Sequence, residues 1–249
     1  MARPLESALI FGACGGVAQA LGRRLAARGA RLFLVARDPA RLASVAADLR
    51  VRGADLCVTA TADLEDLGQH AALLEAASAA LGRIDLVLIA QGALGDQAVS
   101  ELDAAAAERV LRGNFVGPAL LAQVAGRRLA AQRAGVLVGI SSVAGDRGRQ
   151  SNYVYGSAKA GFSTFLQGLR NRLHRDGVAV LTVKPGFIDT AMTAHLLKNR
   201  LYASPDAVAA IILRAAEQGR DVVYAPGFWR LVMFIIRHLP EAIFKRLRL

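Results

Sequence analysis

Cysteine is scarce in this chain, with two residues, Cys14 and Cys57, among 249. They have neither zinc-ligand nor CxxC spacing, so a disulfide scaffold is excluded and no metal is expected. Long apolar runs are missing as well. The apolar run in the tail, 231–236, covers six residues, whereas a membrane-spanning helix needs about twenty. The first residues lack the apolar stretch and cleavage site of a secretory leader, so the expected location is cytoplasmic. Aromatic residues make up 6% and charged residues 20%, against 54% hydrophobic; so apolar a chain is not disordered. Lysine is nearly absent, with 4 against 27 arginines, yet the net charge is +11. The arginines are scattered and no aromatics interleave with them, so no nucleic-acid partner is expected.

What the chain does contain is alternation. Short apolar runs at 8–11, 31–36, 55–60, 85–89, 135–141, 178–184 and 221–224 are separated by segments of helical period. Those segments span 17–28, 39–52, 64–81, 102–132, 155–175 and 205–218. Strand, helix, strand repeated in this way predicts an α/β fold, a doubly wound parallel sheet of the Rossmann type with helices on both faces. Strands covered on both faces read as unbroken apolar runs, as Leu86-Val87-Leu88-Ile89 does. Gly29 and Gly82 stand where helices should end in a left-handed residue. There is no repeat or low-complexity linker. The expected division is a dinucleotide-binding, catalytic domain over 1–226 and a basic amphipathic extension over 227–249.

The first strand runs into Gly12-Ala13-Cys14-Gly15-Gly16-Val17-Ala18, which opens a helix. Glycines in a tight strand-to-helix turn let backbone N–H groups and the helix N-terminus approach a pyrophosphate. After the first strand of a doubly wound sheet, such a loop points to a dinucleotide rather than an ordinary turn. The second strand ends in Val35-Ala36-Arg37-Asp38. Ala36 stands where an acidic residue would bind the ribose hydroxyl of NAD, and Arg37 is placed to pair with a 2′-phosphate. NADP(H) is therefore favoured and NAD(H) remains possible. The alternative makes Arg37 a solvated helix-start residue and Asp38 an N-cap or ribose ligand. Asp63-Leu64, past the third strand, brings a carboxylate near the adenine or caps the next helix. Cys14, near a helix N-terminus, has a thiol pKa expected to fall, although a small space-filling role suits it better than redox chemistry.

The most specific pattern is Tyr155-Gly156-Ser157-Ala158-Lys159. Residues i and i+4 share a helix face, so a phenol and an ammonium converge, and the cation should lower the tyrosine pKa. Ser142 ends the fifth strand, thirteen residues earlier, at the carboxyl edge where such sheets bind ligands.

With these pieces in place the chain resembles the short-chain dehydrogenase/reductase family over essentially its full length. The resemblance rests on the glycine loop, Asp63, Asn114, Ser142, Tyr155, Lys159 and Lys184-Pro185-Gly186 with Thr190. It implies that Tyr155 is the general acid/base and that Lys159 lowers its pKa and binds the nicotinamide ribose. Ser142 would polarise the substrate carbonyl and Asn114 would hold a water of the proton relay. Gly12, Cys14, Gly15, Gly16, Val17, Arg37, Asp63, Leu64, Gly92, Pro185, Gly186, Ile188 and Thr190 would line the cofactor. Ser141 reads as structural, and Tyr153 has no lysine at the required offset. The chain departs from the family pattern at Phe11, at Ala18 and in Ile89-Ala90-Gln91-Gly92, which puts cofactor affinity rather than chemistry in question.

A narrower resemblance, to reductases of decaprenylphosphoryl keto-pentoses, lies in 153–157, 192–196 and the tail. It implies a lipid-linked carbonyl substrate; the alternatives are a soluble keto-acyl or keto-steroid reductase, or a catalytically silent cofactor-binding sensor. In the tail Phe228, Trp229, Met233, Phe234, Ile243, Phe244 and Leu247 alternate with Arg230, Arg237, Lys245, Arg246 and Arg248, and Pro240 breaks it into two short helices. Large apolar residues beside basic ones, too short to span, describe a segment lying on the inner membrane face over 228–249. The competing use is burial in a homo-oligomer interface, either dimer or tetramer. His195 stands where a substrate-covering lid begins, either touching substrate phosphate or serving as a surface histidine without a role. Every expected catalytic residue precedes 227, which implies a site complete without the tail.

Overall fold

The computed structural model describes residues 5–194 and 197–247. Seven parallel strands form one sheet in the order β3-β2-β1-β4-β5-β6-β7. They are β1 (Ser7–Phe11), β2 (Arg31–Ala36), β3 (Leu56–Thr61), β4 (Leu86–Ile89), β5 (Val136–Ile140), β6 (Ala179–Pro185) and β7 (Val222–Ala225). The order reverses between β3 and β4, because β1 pairs with both β2 and β4. That switch point opens a crevice beyond the carboxyl ends of β1 and β4, where doubly wound sheets bind ligands.

Side-chain alternation divides the strands between two cores. Ala8, Ile10, Leu32, Leu34, Leu86, Leu88, Val136, Val138, Leu181 and Val183 face one side. There they meet α1 (Gly16–Ala26), α2 (Pro39–Val51) and α8 (Pro205–Glu217). Leu9, Phe11, Phe33, Val35, Val87, Ile89, Leu137 and Val180 face the other, against α3 (His70–Leu81), α6 (Gly117–Gln132) and α7 (Tyr153–Leu173). Both faces are dry, which is why the strands are apolar at consecutive positions. Phe11, where the family pattern has a polar residue, is fully buried in the second core.

The expected strands all form, with ends shifted by a residue or so. Asp85 stands just before β4 because its carboxylate turns back to accept from the N–H groups of Glu6 and Ser7, each at 3.1 Å. Gly29 and Gly82 have φ of 75° and 72°. The segment expected as one helix over 102–132 is interrupted. Asp103 separates α4 (Gln97–Leu102) from α5 (Ala104–Leu111) by capping Ala105 N–H at 2.8 Å. A π-helical turn at Arg112–Val116 then joins α5 to α6. Helix α3 starts at His70 instead of 64, since Asp66 caps a 3₁₀ turn before it.

Past β7 the chain forms α9 (Trp229–His238) and α10 (Glu241–Phe244), parted at Pro240 as expected. Trp229 and Met233 are buried in a third, small core with Val143, against Phe187 and Tyr224. No helix among the described residues is long and apolar enough to cross a membrane.

Candidate active site

Helix α7 carries Tyr155 and Lys159 and lies against the end of β5. Ser141 Oγ donates to Lys159 O at 2.9 Å and shares a 2.7 Å hydrogen bond with Ser163 Oγ. Lys159 Nζ donates to Ile140 O at 3.1 Å. The approach is close enough to require glycine on both sides. A Cβ at Gly145 would sit 2.7 Å from Ala160 N, and one at Gly156 would sit 2.9 Å from Ala144 O. Ser142, one residue beyond the docking point, caps the 3₁₀ turn Val143–Gly145 by accepting from Ala144 N–H at 3.1 Å. Ser141 is thus structural, as expected, while Tyr153 is exposed and lies away from the cavity.

Ser142, Tyr155, Lys159 and Asn114 line one cavity of about 560 Å³ that runs from the glycine loop to the start of α9. Every residue expected to contact a cofactor also lines it: Gly12, Cys14, Gly15, Gly16, Val17, Arg37, Asp63, Leu64, Gly92, Pro185, Gly186, Ile188 and Thr190. Asn114 sits in the π turn, a distortion that often marks functional sites. Its Nδ2 donates to Ala93 O at 2.7 Å and Val110 O at 2.9 Å, leaving Oδ1 buried without a partner. His195, the expected lid residue, and Arg248 of the tail lie outside the described residues.

The electrostatics differ from the sequence expectation. Burial pushes the Tyr155 phenol up to about 12, opposed by a hydrogen bond from Ser142. Burial also brings the Lys159 ammonium down to about 8. The Nζ lies 5.7 Å from the centre of the Tyr155 ring, and desolvation outweighs the attraction between the two groups. Cys14 is corrected in the same sense: burial raises its thiol pKa, outweighing the nearby Arg41. A raised pKa keeps this thiol protonated and unreactive.

The cavity fits a dinucleotide by several independent marks. Gly12, at φ 75°, lies so near the β4 end that a Cβ would be 2.7 Å from Gln91 N. At Gly92 a Cβ would come within 2.6 Å of Asn114 Oδ1 and 3.3 Å of Lys159 Nζ. Both ends of the Gln91 amide are buried without hydrogen bonds, so polar groups wait at the departure from the family pattern. Asp63 accepts from Glu65 N–H at 3.0 Å in a tight turn, leaving the helical cap to Asp66. Asp38 caps α2 through Arg41 N–H at 3.0 Å, which favours the N-cap alternative. Ala36 is buried and Arg37 exposed at the cavity's edge.

Several residues that line or brace the site carry no clear mark in the sequence. Arg41 joins Arg37 at the cavity and donates to Cys14 O at 3.3 Å; its position three residues into a helix beginning Pro39 was the available signal. Asp146, just after the Ser142 turn, accepts from Lys184 Nζ at 2.5 Å and from Tyr224 OH at 2.7 Å. Its neighbour Arg147 donates to Ile236 O at 2.5 Å, Leu239 O at 2.7 Å and Glu241 at 2.8 Å. Its guanidinium also covers the Phe244 ring at 3.7 Å. Nothing local in the sequence marks these long-range partners. Trp229, Met233 and Ile236 of α9 line the cavity, so the expectation of a site complete without the tail is corrected. The tail supplies a wall.

A switch-point cavity with a glycine cradle, and a serine, tyrosine and lysine at its far end, defines a dinucleotide-dependent oxidoreductase. A model of the short chain dehydrogenases matches residues 6–201, and the chain belongs to that family. It is 41% identical over 240 residues to an uncharacterized oxidoreductase of Mycobacterium tuberculosis, covering 96% of both chains. An uncharacterized oxidoreductase of Streptomyces coelicolor is 40% identical over 245 residues, covering 98% of this chain and 96% of its own. The crystal structure of levodione reductase superposes with a TM-score of 0.83 at 26% identity, covering 91% of this chain and 98% of that one. The protein is thus an oxidoreductase with a nicotinamide dinucleotide cofactor.

The depressed Lys159 pKa has a measurable consequence for the protein without cofactor. A lysine at about 8 when folded and about 10.4 when unfolded binds fewer protons in the folded state. Its contribution to stability is therefore full above the unfolded value and is lost as pH falls through the folded one. Between pH 7.5 and 9.5, wild type should gain about 2 kcal/mol relative to Lys159→Met in urea unfolding. Parallel pH profiles for the two proteins would show that the amine is not desolvated.

Proposed function

We propose that the protein is an NADP(H)-dependent carbonyl reductase of the short-chain type whose substrate is a keto sugar linked to a polyprenyl phosphate. The observation that carries the reaction class is the convergence of Ser142, Tyr155 and Lys159 at one end of a cavity whose other end is the glycine loop. When bound, the dinucleotide supplies the hydride. Tyr155, held protonated by burial, gives its proton to the carbonyl oxygen as that oxygen becomes an alkoxide. Ser142 donates a hydrogen bond to the same oxygen, where developing charge is best stabilised. Lys159 orients the nicotinamide ribose and replaces the lost phenolic proton, with a water on Asn114 Oδ1 as the next link. Pro185, Gly186, Ile188 and Thr190 hold the nicotinamide end.

NADP(H) is supported by Arg37 and Arg41, which line the cavity where β2 passes into α2, with the carboxylate of Asp38 between them spent on capping α2. Two guanidinium groups suit a dianion better than a ribose hydroxyl. The lipid-linked substrate is supported by α9, which has two apolar faces. Trp229 and Met233 turn inward, while Leu231, Phe234 and Ile235 stand 66%, 61% and 55% exposed. Exposed Arg230, Arg237, Lys245 and Arg246 flank the outer face, the pattern of a helix seated in an anionic interface. Homo-oligomer formation is better placed on α6, α7 and the π turn before α6, where Phe115, Phe165 and Leu169 line an open apolar depression that Tyr155 does not line.

Tyr155→Phe should lower the rate of carbonyl reduction by about 10²–10⁴-fold, with the NADPH dissociation constant nearly unchanged. Retention of more than about a tenth of the wild-type rate would contradict the general-acid role.

Arg37→Ala should weaken NADPH binding by roughly tenfold or more while changing NADH binding little, because only the phosphate loses a charged hydrogen bond. Equal losses, measured by quenching of protein fluorescence, would return the preference to NAD.

The membrane assignment is tested by vesicle flotation. Wild type should float with vesicles rich in phosphatidylglycerol at low salt and detach as salt rises. Leu231→Asp with Phe234→Asp should stay in solution yet reduce a small water-soluble ketone normally, as both residues face away from the cavity. Wild type that ignores anionic vesicles would leave a soluble ketone as the substrate.

A further inference from the structure

The loop between Ser142 and Tyr155 carries a second cation that the reduction itself does not use. Arg149 lines the cavity together with Asn152, Tyr155 and Trp229. Its guanidinium has no carboxylate or hydrogen-bond partner among the described residues, although burial lowers its pKa. Among the described residues the other arginine so affected is Arg170, and it has Val180 O, Thr182 Oγ1 and Asp221 as partners. A partly buried guanidinium without a counter-ion loses hydration and gains nothing in return, unless a ligand supplies the anion.

Two further groups at the same end of the cavity lack partners. Trp229 is 6% exposed, and its Nε1 is buried without an acceptor. Its indole is held in place, edge-on to Phe187 with ring centres 5.5 Å apart and packed so tightly on Gly186 that a Cβ there would overlap Nε1. Asn152 Oδ1 is likewise buried and unpartnered. Buried polar groups are normally satisfied, so two buried unsatisfied ones beside a half-buried, unpaired guanidinium describe the partner that completes them. That partner carries an oxyanion for Arg149 and Trp229 and a hydroxyl for Asn152.

We infer that Arg149, Trp229 and Asn152 form an oxyanion and hydroxyl subsite beside Tyr155, so that the enzyme selects hydroxyketones bearing a phosphate or carboxylate. This rests on the reductase reading and narrows it: the anionic group is read by the protein at the reacting end of the substrate. The phosphate that joins a sugar to its lipid is one source of such a group, and a soluble sugar phosphate is another. Neighbouring Arg147 cannot serve, because its guanidinium is committed to α9 and α10.

Trp229 is the only tryptophan in the chain, so its fluorescence reports on this subsite without turnover. In cofactor-free protein, inorganic phosphate should change that fluorescence saturably. Arg149→Ala should raise the apparent dissociation constant by roughly tenfold or more, with Arg149→Lys in between, since an ammonium keeps the charge without the fork. Arg37→Ala should leave the response intact. Loss of the response in Arg37→Ala alone, an unchanged response in Arg149→Ala, or none in wild type would overturn the subsite. With NADPH, the preference for dihydroxyacetone phosphate over dihydroxyacetone in kcat/KM should fall by a similar factor in Arg149→Ala. An unchanged preference would also overturn the subsite. A phosphate response that depends on Arg149, without turnover of either ketone, would uphold the subsite and remove the reductase reading. A vesicle-bound phosphomonoester lipid that competes with inorganic phosphate, where glycerol phosphate does not, would identify the lipid source.

Discussion

Helix α7 meets the end of β5 at a distance only glycine permits, and the chemistry of the protein follows from that contact. Gly145 and Gly156 bring backbone against backbone. Ser141 Oγ and Lys159 Nζ then close two hydrogen bonds across the joint. These bonds lie in a water-poor region, where leaving either donor unpaired would be costly. The joint sets Ser142, Tyr155 and Lys159 relative to one another without help from a ligand. A strand end, a tight turn and a helix thus behave as one rigid piece, which catalysis requires of groups that must act within a fraction of an ångström.

The price of that rigidity is desolvation. The contact that fixes Lys159 also buries its amine, and the pocket that receives a carbonyl buries the Tyr155 phenol. Both groups are pushed towards their neutral forms. For a reductase this is the useful state of the tyrosine, which must enter the reaction protonated. Charge arrives with the dinucleotide, whose pyrophosphate meets the glycine loop. The resting cavity is therefore a set of unsatisfied donors and acceptors arranged along a groove, from Gln91 through Asn114 to Trp229.

The tail and the catalytic loop are one mechanical unit. Asp146 ties the loop to β6 and β7 through Lys184 and Tyr224, and Arg147 ties it to the carbonyls that end α9. Helix α9 is thus held from beneath by the residues that follow Ser142. Its inner face lines the cavity, while Leu231, Phe234 and Ile235 on its outer face stay exposed. Displacement of α9 would be felt at Trp229 and at the Ser142 turn together.

The local pattern of residues was enough to determine the strands, the sheet class, the glycine turn and the Tyr155–Lys159 pair. Each of these depends on spacing along a strand or helix, which is written in consecutive residues. The switch-point placement followed from topology, since parallel crossovers of one hand leave little choice. Tertiary structure alone decided the rest. The break at Asp103 and the π turn at Asn114 arise from capping and packing that periodicity does not register. The direction of the Tyr155, Lys159 and Cys14 pKa values depends on burial, and burial is contributed by residues distant in sequence. Arg149 and Trp229 line the cavity, and Asp146 and Arg147 brace the loop beside it, because the chain's last helices fold back over the β5–α7 loop, joining positions about 80 to 90 residues apart. No spacing rule reaches that far, because such contacts are set by the three-dimensional path of the chain and not by its local geometry.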